Sequence, residues 1–179
     1  MLLDGDIMVF LVDGDSRFLD EYKEAYTMSL EKIKNGCMSS HDLMFDNLDE
    51  VDIIQNMKDH KDVTKLKPGY VIAYDYFLVD DDKFIGVVSI RKELTSHLLQ
   101  YGGNISYAIH PKYWNQGYGN VSLKLALDKA REMGLRKVLI TCDDNNVASY
   151  KIIEKNRGIL QNKVFNTDNG ESFLTRRYW

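Results

Sequence analysis

The sequence of 179 residues has few cysteines, and the two that it has are far apart. Cys37 and Cys142 do not form a metal-binding motif, and the four histidines show no spacing typical of metal ligands. We interpret both thiols as reduced, because nothing else in the sequence indicates an oxidising compartment. The sequence therefore predicts neither a disulfide nor a metal site.

Long apolar runs and an excess of positive charge are also absent. No run approaches the roughly 20 residues that span a bilayer, and the first residues lack the pattern of a signal peptide. The formal net charge is −4, which argues against a nucleic-acid binder that works by charge. We therefore expect a cytoplasmic protein whose partners include neither a membrane nor a nucleic acid.

The composition that remains is that of a globular protein, with 44% hydrophobic and 28% charged residues. We expect a single domain that buries roughly 70% of its unfolded surface. The predicted strands are 7–12, 70–79, 83–94, 105–109, 137–142, 159–165 and 172–178, and the predicted helices are 18–33, 42–60, 121–133 and 147–157. This order predicts an α+β fold with a mixed, mostly antiparallel sheet of six to seven strands and helices on both faces.

The segment 105–120 is the most informative part of the sequence. Apolar residues at Ile105, Tyr107 and Ile109 alternate as in a strand, and Pro111 then ends the ladder because it has no N–H to donate. Asn-Gln-Gly-Tyr-Gly-Asn at 115–120 leads directly into a helical pattern. A strand, a glycine loop and a helix start together leave backbone N–H groups that can bind phosphate oxygens. A plain strand-to-helix turn explains the glycine pair as well, so both interpretations stay open here.

The predicted helix 42–60 has an acidic face formed by Asp46, Asp49, Glu50 and Asp52. A solvated surface is the simpler interpretation of this face. The functional alternative is a rim that attracts a cationic substrate.

From Phe84 onward, about half of the sequence resembles the GNAT family of N-acetyltransferases. The resemblance rests on Ile-His-Pro-Lys-Tyr-Trp-Asn-Gln-Gly-Tyr-Gly-Asn at 109–120, on Val-Leu-Ile-Thr at 138–141, and on Asn-Val-Ala-Ser-Tyr-Lys-Ile-Ile-Glu-Lys-Asn at 146–156. Each motif is common by itself, but their order and spacing are specific. The loop and the closing Ile-Glu-Lys-Asn are most similar to the ribosomal-protein N-acetyltransferase branch. The Arg-Arg-Tyr-Trp ending is similar to a bacterial group of predicted acetyltransferases.

The resemblance implies acetyl-CoA as co-substrate and no metal. In this family the loop holds the CoA pyrophosphate on backbone amides, and the strand before it lies along the pantetheine arm, separated from the next strand. The implied contacts with acetyl-CoA are Ala108, Ile109, Asn115, Gln116, Gly117, Tyr118, Gly119, Asn120, Asn146 and Ser149. A helix N-cap explains Asn146 equally well. Trp114 occupies a loop position where the family usually has Arg or Gln, which removes one phosphate donor.

The catalytic residues implied by the resemblance are less well defined. Many family members have a tyrosine directly before Glu-Lys that protonates the leaving thiolate, but here that position is Ile153. Tyr150, three residues earlier, is the candidate acid. Glu93 and water held by Ser106 or Tyr107 are the candidate bases.

The implied function is direct transfer of the acetyl group to a primary amine of a small molecule or peptide. At pH 7 a lysine-like amine, with a pKa of about 10.4, needs about 4 kcal/mol to lose its proton, whereas an α-amine needs about 1 kcal/mol. A strong base is therefore essential only for the first. The alternatives are a module that binds or senses acyl-CoA without transfer, and an unrelated phosphate-binding α/β protein. The predicted domain spans 1–179 with a CoA-binding core at about 84–158, and a homodimer is left open.

Overall fold

The computed structural model describes residues 8–168 and 171–179, and their strands form two antiparallel sheets. The strands are β1 (Val9–Val12), β2 (Ala73–Asp80), β3 (Lys83–Arg91), β4 (Ile105–Ile109), β5 (Ile140–Asp143), β6 (Leu160–Asp168) and β7 (Glu171–Tyr178). The four-stranded sheet has the order β1-β2-β3-β4, and the three-stranded sheet has the order β5-β7-β6.

Helices connect these strands and cover the sheets. The α-helices of the described residues are α1 (Leu19–Lys34), α2 (Ile53–Asp59), α3 (Ser96–Gln100), α4 (Tyr118–Glu132) and α5 (Val147–Lys155). Short 3₁₀ turns lie at Ser16–Phe18, Ser40–Asp42, Val63–Lys65 and Pro111–Tyr113.

The four-stranded sheet has helices on both faces. Successive side chains of its central strands point to opposite faces, and both faces are apolar. Phe77 on β2 packs with Tyr22 of α1, with ring centroids 5.8 Å apart. The next residue, Leu78, packs with Tyr118 and Val121 of α4 on the opposite face. The predicted α+β fold is confirmed, and its strands form two sheets rather than one continuous sheet.

The predicted helix 42–60 is wrong over most of its length, since α2 covers only Ile53–Asp59. The segment before it is irregular, because side chains there bond the backbone amides that a helix would use. The Tyr22 hydroxyl accepts the Asp46 N–H at 2.9 Å. Phe45 fits a helical spacing, yet it packs edge-on against Tyr22 with ring centroids 5.5 Å apart. The apolar spacing of the segment before α2 therefore reflects burial and not a helix.

The other helix and strand predictions agree with the structure to within a few residues at each end. The short helix α3 occupies part of the segment 95–103, which the sequence analysis leaves as a connection. The predicted start of the first strand at Ile7 lies outside the described residues, as do Asn169 and Gly170 of the final turn.

β4 and β5 are neighbours, and the hydrogen bonds described between their chain segments come from Gly102 and Asn104, which precede β4. The Asn104 N–H donates to the Leu139 carbonyl at 2.7 Å, and the Leu139 N–H donates to Asn104 Oδ1 at 2.8 Å. Gly103 is required beside this junction, because its φ is +61° and a Cβ there would lie 2.4 Å from the Leu139 carbonyl oxygen. Among the described residues, no backbone hydrogen bond joins β4 to β5 beyond this point. The two strands therefore diverge from the junction.

Asn104→Ala should destabilise the fold strongly. Asn104 is 3% exposed, and its side chain bonds both the Leu139 N–H and the Arg91 carbonyl. The free energy of unfolding should fall by at least about 2 kcal/mol, since each buried group left unpaired costs about 1–3 kcal/mol. Urea unfolding measures this loss, with Gln100→Ala on the exposed surface of α3 as the control. A loss no larger than that of the control would contradict the role of the junction.

Candidate active site

A groove of about 1270 Å³ occupies the space between the diverging strands. β4 forms one wall, β5 and the start of α5 form another, and the loop before α4 contributes a third part. Polar side chains of β2, β3 and the segments flanking α2 also line it. The predicted site residues that line the groove are Tyr107, Ala108, Ile109, Asn115, Gly117, Gly119, Asn120, Asn146 and Ser149.

The loop 115–119 exposes backbone N–H groups for which the described part of the chain supplies no acceptor. Asn115 and Gly117 have positive φ values of 61° and 89°, a conformation typical of anion-binding loops. A Cβ on Gly117 would meet nothing within 4 Å, so the space in front of the loop is open. α4 begins at Tyr118, and the positive end of its dipole reinforces these amides. The loop is therefore suited to bind an anion such as phosphate.

Two predicted loop residues use their side chains inside the protein. Tyr118 is 8% exposed, and its hydroxyl donates to Asp80 Oδ2 at 2.6 Å. The Asn120 side chain accepts a hydrogen bond from Asn156 at 3.0 Å, which joins α4 to α5. What Tyr118 can offer a ligand is its backbone N–H.

Two further side chains stabilise the loop through hydrogen bonds to the protein, and one of them, Trp114, also lines the groove. The Gln116 side-chain amide donates to the Lys112 carbonyl at 3.1 Å, and Gln116 does not line the groove. The Trp114 indole N–H donates to the Ile109 carbonyl at 2.8 Å. The surface that the loop presents to a ligand is therefore mostly backbone.

β4 is an edge strand, and its free edge faces the groove. Its even-numbered residues bond β3, because His110 donates to the Ile85 carbonyl and the antiparallel register alternates from there. The backbone groups of Tyr107 and Ile109 therefore point toward the groove, whereas those of Ala108 bond β3. An extended ligand can pair with the backbone of Tyr107 and with the Ile109 N–H, because the Ile109 carbonyl already accepts the Trp114 indole N–H. It meets Ala108 only through the side chain.

Two hydroxyl groups meet inside the groove. Tyr107 Oη lies 3.4 Å from Ser149 Oγ. Burial raises the pKa of Tyr107 well above its usual range, so the phenol stays protonated near neutral pH and can act as a proton donor. Burial also raises the pKa of the nearby Cys142 thiol to about 12, which argues against a thiolate nucleophile. Asn146 caps α5 by accepting the Ser149 N–H at 3.0 Å, and its contact with a ligand stays a prediction.

The structure does not bring the candidate acid Tyr150 or the candidate base Glu93 into the groove. Ser149 faces the groove, and the next residue of a helix is rotated from it by about 100°. Tyr150 therefore points elsewhere, and the Arg176 guanidinium lies 4.0 Å from its ring centroid. Glu93 follows the end of β3 and is exposed. Ile153, which occupies the position where many family members have a tyrosine, is buried in the core.

Sequence reasoning missed a polar cluster on the sheet side of the groove. His60 Nδ1 lies 2.6 Å from Asp75 Oδ2, and Asp46 and Arg91 line the same region. The hydrogen bond to Asp75 raises the pKa of His60, while burial raises the pKa of Asp46. These four residues come from separate segments, so no local motif connects them. Asp46 is the member of the predicted acidic face that lines the groove.

A family model described as an acetyltransferase (GNAT) domain matches residues 38–158, more than half of the chain. The chain belongs to the GNAT acetyltransferase family. The match begins well before Phe84, where the recognisable motifs start. The GNAT domain thus includes the segments that supply Asp46, His60 and Asp75 to the groove.

The sequence identity to an individual curated relative is low. The uncharacterized N-acetyltransferase YnaD of Bacillus subtilis (strain 168) is 28% identical over 94 residues, which are 52% of this chain and 53% of that protein. The chain therefore matches about half the length of this curated relative.

Solved structures of acetyltransferases share the GNAT fold over nearly the whole chain. RimL, a ribosomal-protein α-N-acetyltransferase, is 16% identical with a TM-score of 0.69, covering 99% of this chain and 97% of its own. MccE, a microcin self-immunity acetyltransferase in complex with acetyl-CoA and AMP, is 19% identical with a TM-score of 0.69, covering 97% of this chain and 92% of its own. At these identities the likeness shows the fold.

Within residues 8–168 and 171–179, no helix of this GNAT protein is long and apolar enough to cross a membrane. In the same residues, no three His, Cys, Asp or Glu side chains are grouped so that they could hold a metal ion. The polar groups that line the groove include backbone amides, hydroxyls, carboxylates, the imidazoles of His41 and His60, and basic side chains.

Tyr118→Phe should separate stability from ligand binding in this GNAT site. The change leaves Asp80, which is 6% exposed, without its phenol donor, so the free energy of unfolding should fall by about 1–3 kcal/mol. The affinity for coenzyme A should be unchanged, because the Tyr118 amide remains. Urea unfolding and calorimetric titration measure the two quantities, with the exposed Tyr70→Phe as the control. Weaker coenzyme A binding at unchanged stability would show that the hydroxyl contacts the ligand.

Proposed function

We propose that this GNAT protein transfers the acetyl group of acetyl-CoA directly to the nitrogen of a primary amine, in a small molecule or a peptide. The observation that carries the proposal is the groove between the diverging strands β4 and β5. The free edge of β4 leads along it to the backbone amides at 115–119, which have no acceptor among the described residues. Acetyl-CoA has a matching layout, because a diphosphate and a thioester lie at opposite ends of an extended arm that contains amides.

The diphosphate of acetyl-CoA binds the amides of 115–119 at the start of α4. Charge-assisted hydrogen bonds of this kind contribute about 1.5–3 kcal/mol each. Lys151 and Lys155 of α5 also line the groove and add positive charge. The pantetheine arm extends along β4 and bonds the Tyr107 backbone and the Ile109 N–H as an added strand. The acetyl-CoA complex of MccE, which shares the fold, supports this choice of ligand.

The reaction begins with an amine that faces the thioester in the groove. Its nitrogen attacks the carbonyl carbon, the C–N bond forms, and the C–S bond breaks with its electron pair leaving on sulfur. A backbone N–H of β4 stabilises the oxyanion of the tetrahedral intermediate. The Tyr107 and Ser149 hydroxyls replace Tyr150 as the donors to the thiolate, because they line the groove and Tyr107 keeps its proton. Holding the two reactants together supplies much of the rate.

The proposed acceptor is a primary amine, and the proposal does not specify which molecule carries it. RimL is named for an α-N-protein activity, which supports a peptide α-amine as one acceptor to test. We also infer that the chain acts as one domain, because residues from Tyr22 to Lys155 line one groove.

Acetyl-CoA should protect the protein from thermal unfolding. At a free concentration of 100 Kd the added stability should be about 2.7 kcal/mol. Differential scanning fluorimetry measures the shift, with ATP at the same concentration as the control for a general phosphate site. If millimolar acetyl-CoA did not shift the thermal unfolding of the protein, the proposed function would be contradicted.

Transfer itself is tested by the release of free thiol from acetyl-CoA with a panel of amines. The panel contains spermidine, a peptide with a blocked N-terminus and one lysine, and a lysine-free peptide with a free α-amine. Thiol release and an acetylated product are expected for at least one of them. Tight acetyl-CoA binding without release for any amine would instead indicate a module that senses acyl-CoA.

Gly117→Asp should weaken coenzyme A binding more than Gly117→Asn does. Both side chains have the same shape and tolerate positive φ, so the difference between the two variants isolates the negative charge placed before the loop. Repulsion of the diphosphate should raise Kd at least tenfold between the variants, a difference of about 1.4 kcal/mol. Calorimetry at low and high salt measures it. Equal affinities would mean that the diphosphate binds elsewhere.

A further inference from the structure

Resting on the proposed function, we propose that His60, oriented by Asp75, receives the proton that the acceptor's ammonium group loses before it attacks acetyl-CoA. The predicted base Glu93 lies outside the groove and the Tyr107 phenol stays protonated, so the proton needs a different acceptor among the groove residues. His60 lines the same groove as β4.

The backbone of His60 is fixed from two sides. Its N–H donates to the Asn56 carbonyl at the end of α2 at 2.9 Å, and its carbonyl accepts the Ala73 N–H at the start of β2 at 3.1 Å. Asp75 follows Ala73 by two residues on β2, so the same contact brings the carboxylate beside the ring. This explains how residues 15 apart in sequence form a hydrogen bond of 2.6 Å.

The hydrogen bond selects the form of the imidazole that can accept a proton. When the ring is neutral, Nδ1–H donates to the Asp75 carboxylate, and Nε2 carries the free electron pair. Nε2 has no hydrogen-bond partner among residues 8–168 and 171–179. The His60 side chain is 44% exposed, against 18% for Asp75, so water reaches the ring while the carboxylate is covered. An imidazole oriented in this way by a carboxylate is suited to act as a base.

A polar row leads from this pair to β4. Asp75 lies opposite Ser89 on β3, and Ser89 lies opposite Ser106 on β4, so the three side chains share one face. The adjacent row on that face, Phe77, Val87 and Ala108, is apolar. Two strand spacings separate Asp75 from Ser106, roughly 10 Å. Water along the polar row therefore carries the proton from the acceptor nitrogen at β4 to His60.

The charges that face His60 set the pH range in which it works. Asp75 on β2 and Asp46 before α2 raise its pKa, while burial and Arg91 on β3 oppose them. On its own helix, Asp59 is paired with Lys65 at 3.0 Å. The pKa therefore lies above the usual value of 6.5, and His60 is available as a base only when the pH exceeds it.

The protons balance in this scheme. The ammonium group gives one proton through water to His60 Nε2, and the neutral nitrogen then attacks the thioester carbon. The tetrahedral intermediate breaks the C–S bond, and the second nitrogen proton is lost as the thiolate gains one from Tyr107 or Ser149. His60 returns its proton to solvent, and Tyr107 or Ser149 regains one through water. The products are an N-acetyl amide, coenzyme A thiol and one released proton.

His60→Gln tests the role, with His97→Gln on the exposed side of α3 as the matched control. With the lysine peptide, wild-type kcat/KM should rise with pH through a midpoint above 6.5, and His60→Gln should lose this rise and fall about 10²-fold or more. With the α-amine peptide the fall should be much smaller, because that amine is already partly neutral near pH 7.5. Asp75→Asn should move the midpoint to lower pH, since it removes the carboxylate that raises the pKa of His60.

Two results would overturn the role of His60. One is a His60→Gln variant with the wild-type pH profile on the lysine peptide. The other is an equal loss with both peptides, seen in KM and not in kcat, which would make His60 a binding group. The acetyl-CoA thermal shift of His60→Gln should match that of wild type. A wild-type protein that shows no such shift would remove the proposed function itself, so the two failures are distinguishable.

Discussion

The site depends on how Asn104 pairs with Leu139. A backbone bond of 2.7 Å joins the two sheets there, and the next bond, at 2.8 Å, goes to the Asn104 side chain in place of a strand carbonyl. A side-chain amide can end a ladder but cannot extend it, so β4 and β5 separate beyond this point. If the ladder continued, the backbone groups of Tyr107 and Ile109 would bond β5. The groove exists because this pairing stops after one residue.

The glycine loop completes the groove mostly through backbone groups. Residues 115–117 of the loop are solvent-exposed, so water can satisfy their backbone N–H groups in the absence of a ligand, and the open loop costs little stability. Trp114, Gln116 and Tyr118 hold the loop with side chains that bond the protein. These side-chain hydrogen bonds set the loop conformation, and the main chain of the loop is left to face a ligand. This division explains why residue types predicted the position of the site better than they predicted the contacting atoms.

The sequence predicted what depends on neighbouring residues and missed what depends on tertiary contacts. The strand, loop and helix at 105–120 follow from local spacing, proline and glycine, and the structure contains them in that order. Phe45 has helical spacing, but a tertiary contact with Tyr22 decides its environment. The His60 and Asp75 pair gave no signal, because a helix end and a strand start bring it together.

The two groups that we assign to proton transfer, Tyr107 and His60, are raised in pKa for different reasons, and this difference separates their roles. Burial keeps the Tyr107 phenol neutral, so near neutral pH it can only give a proton. A carboxylate raises the pKa of His60 toward the working range, so that group can take one. The proton donor Tyr107 lies in the groove near Ser149 on α5. The proton acceptor His60 lies beside Asp75 on β2, two strands away from β4. In the proposed reaction, protons leave the amine on one side and reach the thiolate on the other, so the transfer can run without a residue that performs both tasks.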